Sequence, residues 1–181
     1  MKQLVFVVHK HKATSLHYDF RLEIGGVMPS WAIPKGPTLD SSVKRLAMPT
    51  TDHNMEYRTF EGVISEGEYG AGPVMIWDEG TYNPEREIAK GVREEIKDRE
   101  LGEKEMQKGL KEGSLKFRLY GKKLQGSFAL VRTKGFGGNK ESWLLIKHRD
   151  DYSEKGYDAN DYDFSATTNR TMAEIVKNSV E

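Results

Sequence analysis

Short runs of alternating polar and apolar residues, separated by glycine, proline, asparagine and aspartate, recur along most of the chain. This punctuation is typical of antiparallel strands joined by tight turns, and it favours a mainly β fold that closes into a barrel or packs as a sandwich. Candidate strands lie near residues 4–10, 16–23, 28–33, 44–48, 58–64, 73–77, 114–121, 125–132 and 142–148.

One long segment departs from the strand pattern. Asn83, Pro84 and Glu85 have the character of a helix start, and residues 87–111 are rich in Glu, Lys, Arg and Leu. We therefore expect a charged helical insertion at about residues 84–112, with one apolar face packed on the sheet.

The chain of 181 residues is long enough for one domain with a substantial hydrophobic core. We expect a single domain over residues 1–181, with its core at about 4–150 and a loop-like tail at 152–181. A short helix is expected in that tail at residues 171–180. The predicted architecture is thus mainly antiparallel β, with one or two peripheral helices.

The composition excludes several kinds of chemistry. The chain has no cysteine, which rules out disulfides, cysteine-ligated zinc, iron–sulfur clusters and thiol nucleophiles. No apolar run approaches the roughly 20 residues that span a bilayer, so we expect a cytoplasmic protein without a membrane partner. The formal net charge is zero, and the seven Lys and Arg against three acids in residues 1–48 fit either a modest basic surface or ordinary solvated side chains.

The most informative residues are at 11–23, HKATSLHYDFRLE. If residues 16–22 form a strand, strict alternation places His17, Asp19 and Arg21 on one face, at spacings of roughly 7 Å. A guanidinium beside a bound cation is repulsive unless an anion lies between them. Arg21 therefore predicts a phosphate or carboxylate ligand at this face.

The preceding strand contributes a further candidate metal ligand. A hairpin through the turn at residues 12–15 would place His11 almost opposite His17. Two imidazoles and the carboxylate of Asp19 suit Mn²⁺, Fe²⁺ or Zn²⁺, and they leave open positions for water and substrate. The plainer alternative is a hydrogen-bonded surface pair of His17 and Asp19.

Two candidate functional residues lie outside this hairpin. His53, in a turn-like region at residues 52–57, suits a third metal ligand, a general acid or a phosphate contact, although a lone loop histidine often has no role. Lys35, in the Pro/Gly-stiffened segment 30–37 (SWAIPKGP), either reaches an anion or belongs to a plain turn. The glycine-rich residues 66–82 precede a strand, so they predict a hairpin and not a dinucleotide loop.

Together these motifs resemble the phosphoesterase module of bacterial DNA ligase D and its free-standing archaeal and bacterial relatives. The similarity covers about residues 5–150, and the combination is far more specific than any one motif. It is carried by the array His11-x5-His17-x-Asp19-x-Arg21, residues 30–37, Asp52-His53 with Tyr57, Phe60-Glu61-Gly62, Tyr69-Gly70-Ala71-Gly72, Trp77-Asp78, Leu115-Lys116-Phe117 and residues 142–147.

The resemblance implies a β-barrel-like fold and a Mn²⁺-dependent enzyme that removes 3′-terminal ribonucleotides and 3′-phosphates at DNA breaks, leaving a 3′-OH. It implies that His11, His17 and Asp19 hold the metal, for which Co²⁺ and Zn²⁺ are further candidates. The resemblance also implies that five polar residues surround the phosphate, namely Arg21, His53, Tyr57, Lys35 and Arg45. The first three of these are the expected catalytic residues. His9 stands where the family commonly has Gln, and its role stays open.

The chain differs from the ligase D pattern in three respects. Polymerase and ligase modules are absent, so we expect a stand-alone monomeric enzyme that acts on primer-template or nicked-duplex 3′ ends, with separately encoded ligase and polymerase as partners. The family's extension before the first strand is also missing, which bears on the efficiency of the nuclease step. The charged residues 83–112 are longer than the usual connection.

The expected mechanism is metal-assisted phosphoryl transfer. The metal polarises a phosphate oxygen and lowers the pKa of a bound water, while Arg21, Lys35 and Arg45 neutralise phosphate charge. His53 protonates or orients the leaving oxygen.

Two alternative functions stay open on sequence alone. The first is a mononuclear Fe²⁺ oxygenase, in which His17 and Asp19 act with a distant His53 or His148 and an arginine holds the carboxylate of a keto acid. The second is a non-enzymatic β-barrel module whose aromatic side chains stack on nucleic-acid bases, and its candidate stacking residues are Trp31, Tyr57, Tyr69 and Trp77.

Overall fold

The computed structural model describes residues 2–134 and 141–179. Strands make up most of the regular structure in these two ranges. The strands are β1 (Leu4–Lys12), β2 (Leu16–Leu22), β3 (Val27–Ile33), β4 (Lys44–Asn54), β5 (Gly62–Ile64), β6 (Gly72–Ala89), β7 (Val92–Glu95), β8 (Ser114–Gly121), β9 (Gln125–Thr133) and β10 (Ser142–Lys147), and the helices are α1 (Arg99–Glu112) and α2 (Met172–Ser179).

The strands form a closed antiparallel barrel. Neighbouring strands follow the order β1-β2-β3-β4-β10-β9-β8-β6, and β6 pairs back onto β1 to close the ring. β5 and β7 pair with β6 outside that ring. The predicted mainly β, barrel-like architecture with peripheral helices is confirmed, and closure selects the barrel over the sandwich.

Alternation along β2 separates the core from the outer face of the barrel. Tyr18 and Phe20 are fully buried in the hydrophobic core. Because successive side chains of a strand point to opposite faces, His17, Asp19 and Arg21 lie on the outer face of the same wall. A 3₁₀ turn after β4 and a loop after β5 cover these polar residues, so the outer face is shielded from bulk water here.

The segment predicted to be helical from about residue 84 is strand over its first part. β6 continues to Ala89, and its residues Asn83 and Pro84 pair with β8. Strand pairing there outweighs the helical preference of the local sequence. The helix itself begins only at Arg99, after Asp98, whose side chain accepts a 3.0 Å hydrogen bond from a first-turn N–H. The prediction was therefore wrong for residues 84–98 and is confirmed for α1.

The strand that carries His53 is longer than the sequence pattern indicates. Instead of ending at residue 48, β4 runs to Asn54, and His53 pairs with Met28 of β3. Residues 52–54 are therefore strand and not turn. A 3₁₀ turn at Met55–Thr59 then replaces the beginning of the strand predicted at 58–64.

The helix predicted at residues 171–180 is confirmed by α2, at Met172–Ser179. Thr171 and Glu174 cap its first turn reciprocally, with two side chain to backbone hydrogen bonds of 3.2 Å. Ile175 anchors the helix in the core. Within the two described ranges, neither helix has the length and apolar character needed to cross a membrane.

Candidate active site

The β1–β2 hairpin brings the three predicted metal ligands together. His11 is the cross-strand partner of His17, as the sequence predicts, and Asp19 follows on the same face. One ligand atom from each residue lies within 4.8 Å of the other two. The Oδ2 atom of Asp19 is 3.2 Å from Nε2 of His17 and 3.9 Å from Nδ1 of His11.

Backbone carbonyls orient both imidazoles. The Nε2–H of His11 donates to the Gly70 carbonyl oxygen at 2.7 Å, and the Nδ1–H of His17 donates to that of Ser15 at 3.2 Å. The inward nitrogens, Nδ1 of His11 and Nε2 of His17, are thereby directed at Asp19. Three electron-pair donors that converge in this way need a proton or a cation between them, so the set fits a divalent ion.

The pKa shifts of His11, His17 and Asp19 agree with a site for a divalent ion. Burial lowers the pKa of His11, whereas the hydrogen bond to Asp19 raises the pKa of His17. Burial alone would raise the pKa of Asp19, but the hydrogen bond from His17 and the charge of Arg21 hold it below its usual value. At neutral pH the carboxylate is therefore ionised, and a metal ion can displace the proton shared with His17.

Arg21 is held on three sides and is only 3% exposed. Its Nε–H donates to Nδ1 of His9 at 3.0 Å, and an Nη1–H donates to Oγ of Ser30 at 3.0 Å. An Nη2–H donates to Oδ2 of Asp19 at 3.3 Å. The Asp19 carboxylate thus provides some of the negative charge that the sequence predicts between Arg21 and a metal.

His9 links the guanidinium to the polypeptide backbone. Its Nε2–H donates to the carbonyl oxygen of Phe60 at 3.1 Å, which leaves Nδ1 to accept from Arg21. Burial and the charge of Arg21 lower the pKa of His9 to about 3, so the ring is neutral. The role left open by the sequence is therefore the positioning of Arg21.

His53 approaches Arg21 from β4. Its Nδ1–H donates to the carbonyl oxygen of Thr51 at 2.8 Å, and Nη1 of Arg21 is 3.1 Å from the same ring nitrogen. Burial and the nearby guanidinium lower the pKa of His53, which favours the neutral imidazole. The ring of Tyr57 packs 4.9 Å from that of His53 and 5.1 Å from the guanidinium carbon of Arg21, as centroid distances.

These side chains border one cavity of about 480 Å³ on the outer face of the barrel. That volume is in the range typical of small-molecule sites. Six of the predicted site residues line the cavity, namely His11, His17, Asp19, Arg21, His53 and Tyr57.

The other two predicted phosphate contacts do not line this cavity. Arg45 pairs with Leu145, a core residue, and cross-strand partners share a face of the sheet. Arg45 is thus on the inner face of the wall, opposite to the metal triad. Lys35 lies exposed in the turn that follows β3. Their contact with a phosphate stays a prediction, and the function proposed below does not use it.

Sequence reasoning missed several residues of the site. The segment 66–82 was expected to form a hairpin, with Tyr69 named only as a stacking candidate of the non-enzymatic alternative, yet Glu68, Tyr69 and Gly70 line the cavity. Gly70 and Ser15 act through backbone carbonyls, which leave no side-chain signature in a sequence. A tyrosine within a glycine-rich stretch is the sequence signal that points to this loop.

Comparisons with known proteins agree with the geometry. A family described as DNA Ligase D 3′-phosphoesterase domain matches residues 9–132. The multifunctional non-homologous end joining protein LigD of Pseudomonas aeruginosa is 44% identical over 147 residues, 81% of this chain and 15% of that protein. The LigD of Mycobacterium tuberculosis, named as a multifunctional non-homologous end joining DNA repair protein, is 36% identical over 168 residues, 93% of this chain and 19% of that protein. The chain therefore spans less than a fifth of the length of these relatives.

Proposed function

The chain belongs to the DNA ligase D 3′-phosphoesterase domain family, and from this premise we propose that it is a metal-dependent hydrolase that processes nucleic-acid 3′ ends in DNA repair. It removes 3′-terminal ribonucleotides and 3′-phosphates from DNA or DNA/RNA ends and leaves a 3′-OH. The observation that carries this function is the convergence of a metal-ligand triad and a buried guanidinium on one cavity.

The metal we propose is Mn²⁺, held by His11, His17 and Asp19. A set of two nitrogens and one carboxylate oxygen suits a borderline to hard divalent ion, with Co²⁺ and Zn²⁺ as the alternatives. When bound, the ion would supply Lewis acidity to a phosphate oxygen and lower the pKa of a water molecule.

Arg21 is the phosphate-binding cation of the site. Its contacts with His9, Ser30 and Asp19 fix the guanidinium plane before substrate arrives, and the residue lines the cavity. A pre-oriented donor of this kind stabilises charge that builds on a phosphoryl group without reorganisation during the reaction. Thr50 and Thr51 border the same space and add hydroxyl groups without charge.

His53 orients a water molecule or hydroxyl group beside the scissile phosphate. The Nδ1 contact with the Thr51 carbonyl oxygen, at 2.8 Å, is shorter than that with Nη1 of Arg21, at 3.1 Å, so Nδ1 carries the proton. The lone pair on Nε2 can then accept a hydrogen bond from the water or hydroxyl group. The lowered pKa favours this orienting role over protonation of the leaving oxygen, the other half of the sequence-based prediction.

The two alternative functions find less support. A facial triad with His53 or His148 would leave His11 unused, whereas His11 shares the cluster with His17 and Asp19. For a base-stacking module, Trp31 and Trp77 are unsuitable because both are buried in the core. The base-stacking module also gives no role to the buried Arg21.

A cleavage assay tests the proposed function directly. The substrate is a 5′-labelled primer with one 3′-terminal ribonucleotide, annealed to a longer template, and a matched primer carries a 3′-phosphate. We expect Mn²⁺-dependent shortening or dephosphorylation to a 3′-OH, abolished by a chelator. Absence of both products with Mn²⁺, Co²⁺ and Zn²⁺ would contradict the proposal.

A matched pair of histidine variants distinguishes loss of the active site from general damage to the protein. His148→Ala removes an imidazole that does not line the cavity and should keep wild-type turnover. His11→Ala removes an imidazole of the metal triad and should lose turnover.

A further inference from the structure

Tyr69 is the most exposed large apolar side chain among the described residues. It is 96% exposed, whereas the next most exposed large apolar side chain, Leu101, is 60% exposed. Within the described ranges its ring has no aromatic or cationic partner. Yet it lies at the wall of the cavity that contains the metal triad. An aromatic ring held in water at the mouth of a site is typical of a binding surface.

The backbone beneath Tyr69 is built from two consecutive turns. The Glu68 N–H donates to the Ser65 carbonyl oxygen at 3.2 Å, and the Ala71 N–H donates to that of Glu68 at 3.2 Å. Gly67 and Gly70 occupy the third position of each turn with φ of 88° and 75°, the arrangement of a type II turn. Tyr69 is therefore presented by a defined backbone and not by a loose loop.

The same loop is attached to the metal site. The Gly70 carbonyl accepts the hydrogen bond of His11, so the residue after Tyr69 contacts a candidate metal ligand directly. At the other end of the turn, Gly72 pairs with Ile64 of β5. These attachments fix the distance between the Tyr69 backbone and the place where a phosphate would be bound.

The charge of the loop at residues 65–71 limits which part of a nucleic acid it can bind. Glu66 and Glu68 are exposed, and residues 65–71 contain no Lys or Arg. Carboxylates at this position repel a phosphate backbone. The uncharged face of a nucleobase is the part of a nucleic acid that can approach, because every base offers a π surface to an aromatic ring.

We propose that Tyr69 is a stacking platform for a nucleobase that flanks the scissile phosphate. This inference rests on the proposed function and adds a base-binding element to it. The metal triad and Arg21 hold the phosphate, and Tyr69 positions the attached nucleoside. Because stacking accepts every base, the enzyme tolerates any sequence at the 3′ end while requiring that a base be present.

The test compares intact and abasic substrates. Values of kcat and KM are measured for wild type, Tyr69→Ala, Tyr69→Phe and Tyr69→Trp on three primers: intact, abasic at the 3′-terminal nucleotide, and abasic at the penultimate one. Tyr152→Ala is the matched control, since Tyr152 is also an exposed tyrosine but does not line the cavity. Tyr69 itself is exposed, so its replacement leaves the core intact.

For wild type we expect KM to rise roughly 5-fold to 100-fold when one of the two flanking bases is removed. For Tyr69→Ala we expect KM to be raised by the same factor on the intact primer and to rise no further on the abasic primer that affects wild type. Tyr69→Phe, Tyr69→Trp and Tyr152→Ala should behave as wild type. An equal loss for Tyr69→Ala on intact and abasic primers, or no effect of either abasic site, would overturn the inference.

A binding experiment keeps this result separate from the proposed function. A fluorescent adenine analogue at the affected position should be quenched on binding to wild type in the presence of a chelator, and less so with Tyr69→Ala. If wild type cleaves none of the primers, the proposed activity fails, and the quenching still decides whether Tyr69 stacks on the base.

Discussion

The carbonyl oxygen of Gly70 accepts a 2.7 Å hydrogen bond from the Nε2–H of His11. This bond joins a glycine-rich loop to a candidate metal ligand 59 residues away in sequence. It fixes the imidazole orientation in which Nδ1 faces Asp19. The loop therefore belongs to the site through its backbone, whatever its side chains do.

Gly70→Ala should weaken metal binding by roughly 10-fold, the scale on which outer-shell partners affect a metal site. A side chain at φ 75° is strained, and relief of that strain moves the carbonyl that orients His11, although the added Cβ itself makes only an ordinary 3.5 Å contact with Cε1 of His11. Mn²⁺ titration by calorimetry measures the effect. Gly67→Ala is the control, because it has a similar strain at φ 88° and meets no neighbour within 4 Å. Equal losses in the two variants would show that loop strain alone matters.

Asp19→Asn should lose most of its Mn²⁺ affinity at nearly unchanged side-chain volume. The substitution removes the one anionic ligand of the triad and leaves two neutral nitrogens, which hold a hard divalent ion weakly. Titration of the purified protein should then give no saturable site where wild type gives one ion per chain. Full occupancy in Asp19→Asn, or a metal bound elsewhere, would remove the triad as the site.

Much of this site follows from local sequence, because strand alternation and a short turn determine which side chains meet. The hairpin that pairs His11 with His17 involves residues only six apart, and its register is the predicted one. The predictions that failed depend on strand pairing. Pro84 is strand through pairing with β8, residues 85–89 through pairing with β7, and His53 through pairing with β3. The pairings with β8 and β3 depend on the closed barrel, which no local pattern encodes.

Arg21→Lys should retain the metal and lose roughly 10²-fold to 10³-fold in kcat, the scale of a lost charge-stabilising donor. Lysine keeps the charge but cannot hold the contacts with His9, Ser30 and Asp19 at once. Calorimetry for Mn²⁺ and the primer assay for turnover separate the two effects. Wild-type turnover in this variant would exclude a phosphate role for Arg21.

His9→Gln should stay active, whereas His9→Leu should lose roughly 10-fold or more in activity with metal affinity unchanged. The amide of Gln can accept from the Arg21 Nε–H and donate to the Phe60 carbonyl oxygen, as the imidazole does. Leu can do neither and leaves the guanidinium without one support. If both variants are equally active, or if His9→Leu loses the metal, His9 does not act by positioning Arg21.

The last prediction concerns the protonation state in which His53 works. Burial and the charge of Arg21 lower its pKa from 6.5, so the free protein holds a neutral imidazole at pH 7. If neutral His53 orients an oxygen, its contribution to kcat/KM is complete above pH 6.5 and falls only as the pH drops through the lowered pKa. If His53 instead had to donate a proton, kcat/KM would fall as the pH rises above that value.

Profiles of kcat/KM between about pH 5 and pH 8, at saturating Mn²⁺, distinguish the two cases when wild type is compared with His53 variants. His53→Ala should retain Mn²⁺ and lose roughly 10²-fold in turnover, and His53→Gln should recover part of that loss through a hydrogen bond to the same oxygen. A wild-type profile that declines between pH 6.5 and pH 8, with the decline absent in His53→Gln, would establish proton donation. Loss of the metal in His53→Ala would make His53 a ligand and remove it from the phosphate.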